Sequence, residues 1–227
     1  MTSTTLTLLR HGLCAGETEG RYIGHTDAPL TEAGRSQLCQ MREAHVYPRA
    51  GALFVSPLGR CVETAKILYP ELKPIELPGL KEYFFGEFEN KTPEQLQSHP
   101  LFARWIAGEP GLVPPFAEDL ERFQARISET FVKLCDGLLK TGTRDCVVVT
   151  HGGVIMALLA AFGLPEAPMH EWLAPGGCGF TLRLEPSIWL RARKCEVVAM
   201  APEEPAGEDG LPEERRLWLE LEGTDFV

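Results

Sequence analysis

Residues 145–153 read DCVVVTHGG. Four consecutive residues of this run, Cys146 to Val149, are apolar, and no polar position alternates with them. A strand with one wet face alternates, whereas a strand covered on both faces does not. The run therefore predicts a central strand of a mostly parallel sheet with helices on both sides. The next stretch, GGVIMALLAAFG (152–163), predicts a helix ending at Gly163. Residues 6–12, LTLLRHG, have the same shape: an apolar strand that ends, with no polar turn, in a cation, a histidine and a glycine.

Working outward, TEAGRSQLCQMREAHV (31–46) has helical spacing with Thr31 as its N-cap. ALFV (52–55) predicts a second strand, followed by a helix over PLGRCVETAKILY (57–69) with proline in its first turn. KPIEL (73–77) predicts a short third strand, and EDLERFQARISETFVKLCDGLLK (118–140) a long amphipathic helix. Residues 83–117 are aromatic-rich, interrupted by Pro and Gly and weakly periodic, and are expected to form a lid inserted into the fold. After residue 178, FTLRL, IWLRA, EVVAM and RLWLEL read as strands of a β-rich C-terminal extension over 178–227. The acidic, Pro/Gly-rich segment APEEPAGEDGLPEE (201–214) is expected to be a mobile loop. The predicted architecture is one α/β domain over 1–227, a three-layer sandwich.

Composition narrows the partners. The formal charge is −10, from 22 Lys and Arg against 32 Asp and Glu, which disfavours nonspecific nucleic-acid binding. An anionic ligand would need a local basic pocket. The seven cysteines are scattered without a C-x2-C pair, so neither a zinc site nor a disulfide framework is expected, and a reducing cytoplasm is. The N-terminus lacks the basic and apolar regions of a secretory leader. The longest apolar run, VIMALLAAFGL, is too short to span a bilayer. Whether the chain is a monomer or a homodimer stays open.

In sheets of this kind ligands bind beyond the carboxyl ends of the strands. Three predicted strand ends carry Arg10-His11-Gly12, Ser56-Pro57-Leu58-Gly59-Arg60 and His151-Gly152-Gly153. Singly, each arginine reads equally well as a solvated charge and each histidine as a satisfied core residue. Together, two arginines and two histidines with glycines beside them describe a phosphate pocket: guanidiniums match phosphoryl oxygens, and a helix N-terminus after His151 favours an anion. His25, His45, His99 and His170 lack this context.

The blocks LLRHG, GRYIGHTDAPLTEAG, VSPLGRCVETA, LKEYFFGEFENKT and VVVTHGGVI, in this order over about residues 5 to 185, resemble the histidine phosphatase superfamily, in its phosphoglycerate-mutase-like branch. Within it the chain is most similar to α-ribazole phosphatase-like and broad-specificity phosphatases. The resemblance implies that His11 takes the phosphoryl group and that Arg10, Arg60 and His151 surround it. It implies no metal and no cofactor. It makes Glu82 the proton donor, where the residues alone read equally as a solvated loop carboxylate. Glu17, Ile23, Gly24 and Gly152 are candidates for substrate contacts. The substrate class is then a small phosphate ester, with α-ribazole 5′-phosphate and sugar phosphates as the guesses. Phosphoglycerate mutase activity and a weakly active phosphate-binding regulator are the alternatives.

Two departures stand out. The family carries Glu-Thr or a similar pair after Arg-His-Gly, and often an asparagine further on, where this chain has Leu13-Cys14 and Glu17. Glu17 is read either as a recognition element for a substrate donor or as a solvated carboxylate. Cys14 raises a cysteine-dependent rival, but six residues separate it from Arg21, which does not fit the C-x5-R loop of that mechanism. Mutases carry basic residues in the lid, including an Arg-Arg pair, and residues 90–120 hold only Lys91 and Arg104. The lid aromatics Phe84, Phe85, Phe88, Phe102 and Trp105 are read either as a stacking surface for a base-like leaving group or as a small satellite core.

Overall fold

The computed structural model describes residues 2–203. A seven-stranded sheet runs through it: β1 (Thr4–Arg10), β2 (Ala52–Val55), β3 (Ile75–Glu76), β4 (Asp145–Thr150), β5 (Gly163–Leu164), β6 (Gly179–Leu184) and β7 (Cys195–Ala201). The order is β3-β2-β4-β1-β6-β7-β5. Pairings β1–β4, β2–β3, β2–β4 and β5–β7 are parallel, and β1–β6 and β6–β7 antiparallel. The sheet is thus mostly parallel, as the continuous apolar run of β4 implies.

The pleat sends alternate residues of the central strands into two separate cores. Leu6, Leu8, Cys146 and Val148 face one side, packed with α5 (Leu120–Thr141) and α6 (Gly152–Phe162). Leu9, Leu53, Val55, Val147 and Val149 face the other, packed with α1 (Glu32–Ala44) and α2 (Gly59–Leu68). This is why β4 tolerates no polar position. Thr31 caps α1 by accepting from Gly34 N, and Asp119 caps α5 by accepting from Glu121 N. Leu58 is the N-cap of α2, so Pro57 stands outside that helix and not in its first turn.

The C-terminal region departs from the strand reading. FTLRL and EVVAM form β6 and β7, which join the main sheet. IWLRA instead belongs to a helix, α7 (Pro186–Ala192), with Pro186 in its first turn. A strand reading would have set Ile188 and Leu190 on one buried face. The helix buries Pro186 and Trp189, three residues apart, and leaves Leu190 exposed. Trp189 sinks between Phe131 and Phe162 and donates from Nε1 to Asp136 at 2.7 Å. RLWLEL and most of the acidic segment lie outside the described residues.

The lid holds two short helices, α3 (Pro93–Leu96) and α4 (Phe102–Ile106). Phe88, Leu96 and Phe102 are buried together, with Tyr22, Phe85 and Trp105 against them. Most of the lid aromatics therefore form a satellite core. Phe84 stands apart from it, lying against the His25 ring at 5.1 Å.

Candidate active site

Strand register builds the site. Arg10 pairs with Thr150 in parallel β1 and β4, so His11 and His151 each stand one residue past the same rung. His11 N donates to Thr150 O at 2.9 Å, and the two imidazoles lie 5.2 Å apart, edge to face. Val55 pairs with Val149, which sets Ser56 beside that rung and lets its Oγ meet His151 Nε2 at 2.8 Å. Ser56, His151 and Arg60 are fully buried. Arg60 enters from the first turn of α2, whose Gly59 N–H is held by Asp27.

Hydrogen bonds fix the His11 tautomer. Nδ1 lies 2.7 Å from Gly12 O, which can only accept, so Nδ1 carries the hydrogen. Nε2 therefore has the lone pair, and it accepts from Arg60 Nε–H at 3.2 Å. Burial pushes the imidazole pKa down, Glu17 opposes this, and Arg60 and Arg10 push it further, to about 3. His11 is a neutral base at any ordinary pH. His151 is held well below the usual histidine range, by burial first and then by Arg60.

The guanidiniums are anchored at one end. Arg60 donates from Nη1 to Thr26 O and from Nη2 to Gly24 O, at 3.0 and 2.8 Å. Arg10 donates to Ala174 O and to Glu17, while its Nε–H is buried with no partner among the described residues. An orphaned buried donor in a pocket of cations is fit for an oxyanion.

Glu82 lies on the far side of this pocket. Its Oε1 accepts from Tyr83 N at 2.8 Å and its Oε2 from Gly153 N at 2.9 Å. A Cβ on residue 153 would come 2.5 Å from Oε1 and would push the Glu82 carboxylate out of this position. The first-turn donor of α6 thus serves Glu82, where the sequence suggests service to phosphate. Burial raises the Glu82 pKa from its ordinary carboxylate value, against those two N–H groups, Arg60 and Arg10.

Of the candidate substrate contacts, Glu17 is partly buried and already engaged within its own loop. It bonds Arg10 Nη2 and Cys14 N, each at 2.8 Å. Burial works against its ionisation, but interactions with His11 and Arg10 and the Cys14 N–H outweigh that and lower its pKa. Ile23 packs into the core beneath β1 and β2. Gly24 holds Arg60, and a Cβ there would strike Tyr83 O. Arg10 packs against the start of α6 at Gly152, where a Cβ would make only ordinary contact with it. Burial, with Glu17 beside it, pushes the Cys14 thiol up to about 12, which disfavours a reactive thiolate. Glu118 is tied to Arg126.

Three residues not singled out from the sequence support the site. Ser56 orients His151. Arg126 of α5 donates to the carbonyls of Gly79, Lys81 and Glu82, and so holds the loop that presents Glu82. Glu89 accepts from the N–H groups of Gly24, His25, Thr26 and Phe85 and from the Thr26 hydroxyl. It ties the lid to the loop that anchors Arg60. Glu89→Ala leaves those donors without their acceptor and is expected to lower stability by about 2–3 kcal/mol. Urea unfolding checks this; an unchanged midpoint would show that water replaces the carboxylate at no cost.

Comparison with known proteins follows the same lines. The adenosylcobalamin/alpha-ribazole phosphatase of Salmonella typhimurium is 27% identical over 178 residues, 76% of this chain and 87% of that protein. The acid phosphatase of Mycobacterium tuberculosis is 31% identical over 184 residues, 77% and 86% of the two chains. Phosphoglycerate mutases are also among the relatives. The alpha-ribazole phosphatase structure from Shigella flexneri shares the fold, with a TM-score of 0.74 at 22% identity over 87% of this chain and 96% of that one. Residues 6–187, from the strand that delivers His11 through the whole of the site, match the histidine phosphatase superfamily, branch 1, and the chain belongs to that family.

Proposed function

We propose that the chain is a metal-independent phosphomonoesterase that works through a phosphohistidine on His11. The observation that carries this reading is the His11 tautomer: an uncharged imidazole, its lone pair on Nε2, among two anchored guanidiniums. Nε2 attacks phosphorus and the ester P–O bond breaks. Arg60 Nε–H, which occupies the lone pair in the free enzyme, turns to a phosphoryl oxygen while its Nη anchors stay. The Arg10 Nε–H meets another oxygen. Each such donor contributes about 3 kcal/mol to the transition state, by analogy with oxyanion-hole groups. Glu82, whose pKa burial raises, gives its proton to the leaving oxygen. It then takes a proton from the water that breaks the P–N bond, and inorganic phosphate leaves.

The names of the relatives support a small phosphorylated metabolite such as α-ribazole 5′-phosphate as substrate, and sugar phosphates are the second class to try. A mutase must also hold a substrate carboxylate. Of the two basic residues in the lid, Arg104 is already engaged by Glu109, which favours hydrolysis. The cysteines are free, six of the seven buried, which supports a reducing cytoplasmic setting. Among the described residues no helix is long and apolar enough to cross a membrane.

A turnover screen over phosphomonoesters, with 3-phosphoglycerate included, tests this reading. Phosphate release from an ester with no isomerisation of 3-phosphoglycerate supports it, and efficient isomerisation overturns it in favour of a mutase. Full activity is expected after exhaustive dialysis against EDTA, because Arg10 and Arg60 supply the positive charge. Loss on chelation with rescue by a divalent ion would refute the metal-independent mechanism.

A further inference from the structure

We propose that His25 and Phe84 form the leaving-group subsite of this enzyme, and that the pair selects phosphate esters whose alcohol carries a planar aromatic ring. The inference deepens the phosphomonoesterase reading and rests on it for the place of the leaving oxygen, at Glu82. The two rings lie 5.1 Å apart with their planes tilted by 33°, and both side chains are half-buried. Each hangs from a segment that builds the phosphate pocket. His25 stands between Gly24 and Thr26, whose carbonyls anchor Arg60, and its own N–H is held by Glu89. Phe84 stands two residues after Glu82.

The neighbouring aromatics are already spent on the protein. Tyr83 packs on Phe85 and Phe123, and Phe85 on Tyr22 and Trp105. Phe84 shares none of these partners and meets His25 instead. The groups that act on the His25 ring place it beside the proton donor. Burial lowers its pKa first, then Arg126 and Lys81, while the Glu82 carbonyl and Glu118 oppose them. Arg126 holds the carbonyls of Lys81 and Glu82, so these groups belong to the segments that present Glu82. The sequence candidates Glu17, Ile23 and Gly24 are engaged by the protein itself. His25 and Phe84 remain as side chains beside Glu82 with surface still open.

The chemistry of the pair selects the ring. A phenyl and an uncharged imidazole offer flat faces and no formal charge. The His25 Nε2 is buried with no partner among the described residues, so packing against Phe84 sets the ring, not a hydrogen bond at that atom. An aliphatic leaving group gains only buried area there, whereas a planar ring adds offset or edge-to-face packing. These contacts lie away from the reacting atoms and are the same before and during phosphoryl transfer. The preference is therefore expected in KM, with kcat little affected.

Two esters test this: 2-phenylethyl phosphate and 2-cyclohexylethyl phosphate have the same carbon count and the same kind of primary alkoxide to expel, and differ in the flatness of the ring. The full-length wild type should favour the phenyl ester by about 3- to 10-fold in kcat/KM, through KM. Phe84→Leu keeps apolar bulk without a flat face and should bring the ratio close to one. His25→Ala should lower it, and His25→Phe, which restores a flat ring, should keep it. The non-hydrolysable 3-phenylpropylphosphonate and 3-cyclohexylpropylphosphonate, compared by calorimetry, should show the same preference in Kd whether or not the enzyme turns over. Equal phosphonate affinities in the wild type, or a preference that persists in Phe84→Leu, would overturn the subsite. Hydrolysis of both esters with equal kcat/KM would overturn it too and leave the phosphatase reading standing. A phenyl preference in binding with neither ester hydrolysed would keep the subsite and refute that reading. His25→Ala, at a half-buried loop position, carries the same test if Phe84→Leu folds poorly.

Discussion

The His11→Ala protein, mixed with a good phosphomonoester and quenched at alkaline pH, is expected to carry no trapped phosphate, while the wild type carries it on His11. Turnover should fall by about 10⁴-fold or more, the scale for removing a covalent nucleophile whose partners cannot replace it. No neighbour is placed to take over. The Cys14 thiol holds its proton up to about pH 12, so it offers almost no thiolate. His151 is turned to Ser56 and Cys61. The pH profile carries a second part of the same expectation. His11 titrates near 3, so it is neutral above that, and the acid limb of kcat/KM should show no step in the usual histidine range. A Cys14→Ser variant should still accept the label on His11. A label found on Cys14 in the wild type would put the nucleophile on the wrong residue.

How much of this was legible in the sequence depended on how local each cause is. The unbroken Val147-Val148-Val149 run fixes a strand covered on both faces, because its own side chains alternate between two cores. The strand tips were legible because parallel register brings equivalent positions together, and Arg10-His11 and Thr150-His151 end the same rung. The five residues of IWLRA satisfy either period, and the deciding residues are Pro186 before it and the Asp136 carboxylate of another helix that receives Trp189. From its sequence position alone Glu17 fits either of two readings. Its route to Arg10 runs through Gly16, at a φ of 89°, a left-handed turn that spacing alone does not reveal. Glu89 and Arg126 were silent for a different reason. Their partners are backbone groups in distant loops, and a sequence carries no mark of which carbonyl or N–H a charged side chain will meet.

Glu82→Gln separates the acid role from the rest of the machinery. Glutamine keeps the size and one acceptor of the carboxyl group, but it has no proton to give. A sugar or nucleoside alkoxide is a poor leaving group and needs that proton, whereas p-nitrophenolate departs with little help. The pre-steady-state burst on an alkyl phosphate is therefore expected to slow by about 10²–10⁴-fold, and the burst on p-nitrophenyl phosphate by much less. Breakdown of phosphohistidine should slow for both esters, because Glu82 also takes the proton from water. The pH dependence has a definite sign. Burial raises the Glu82 pKa, and the acid role needs the protonated form. The wild-type burst on an alkyl phosphate is thus full below that pKa and falls as pH rises through it. In Glu82→Gln this alkaline limb disappears and the lower rate stays flat. Equal burst rates for the two proteins on an alkyl phosphate would remove Glu82 from the acid role.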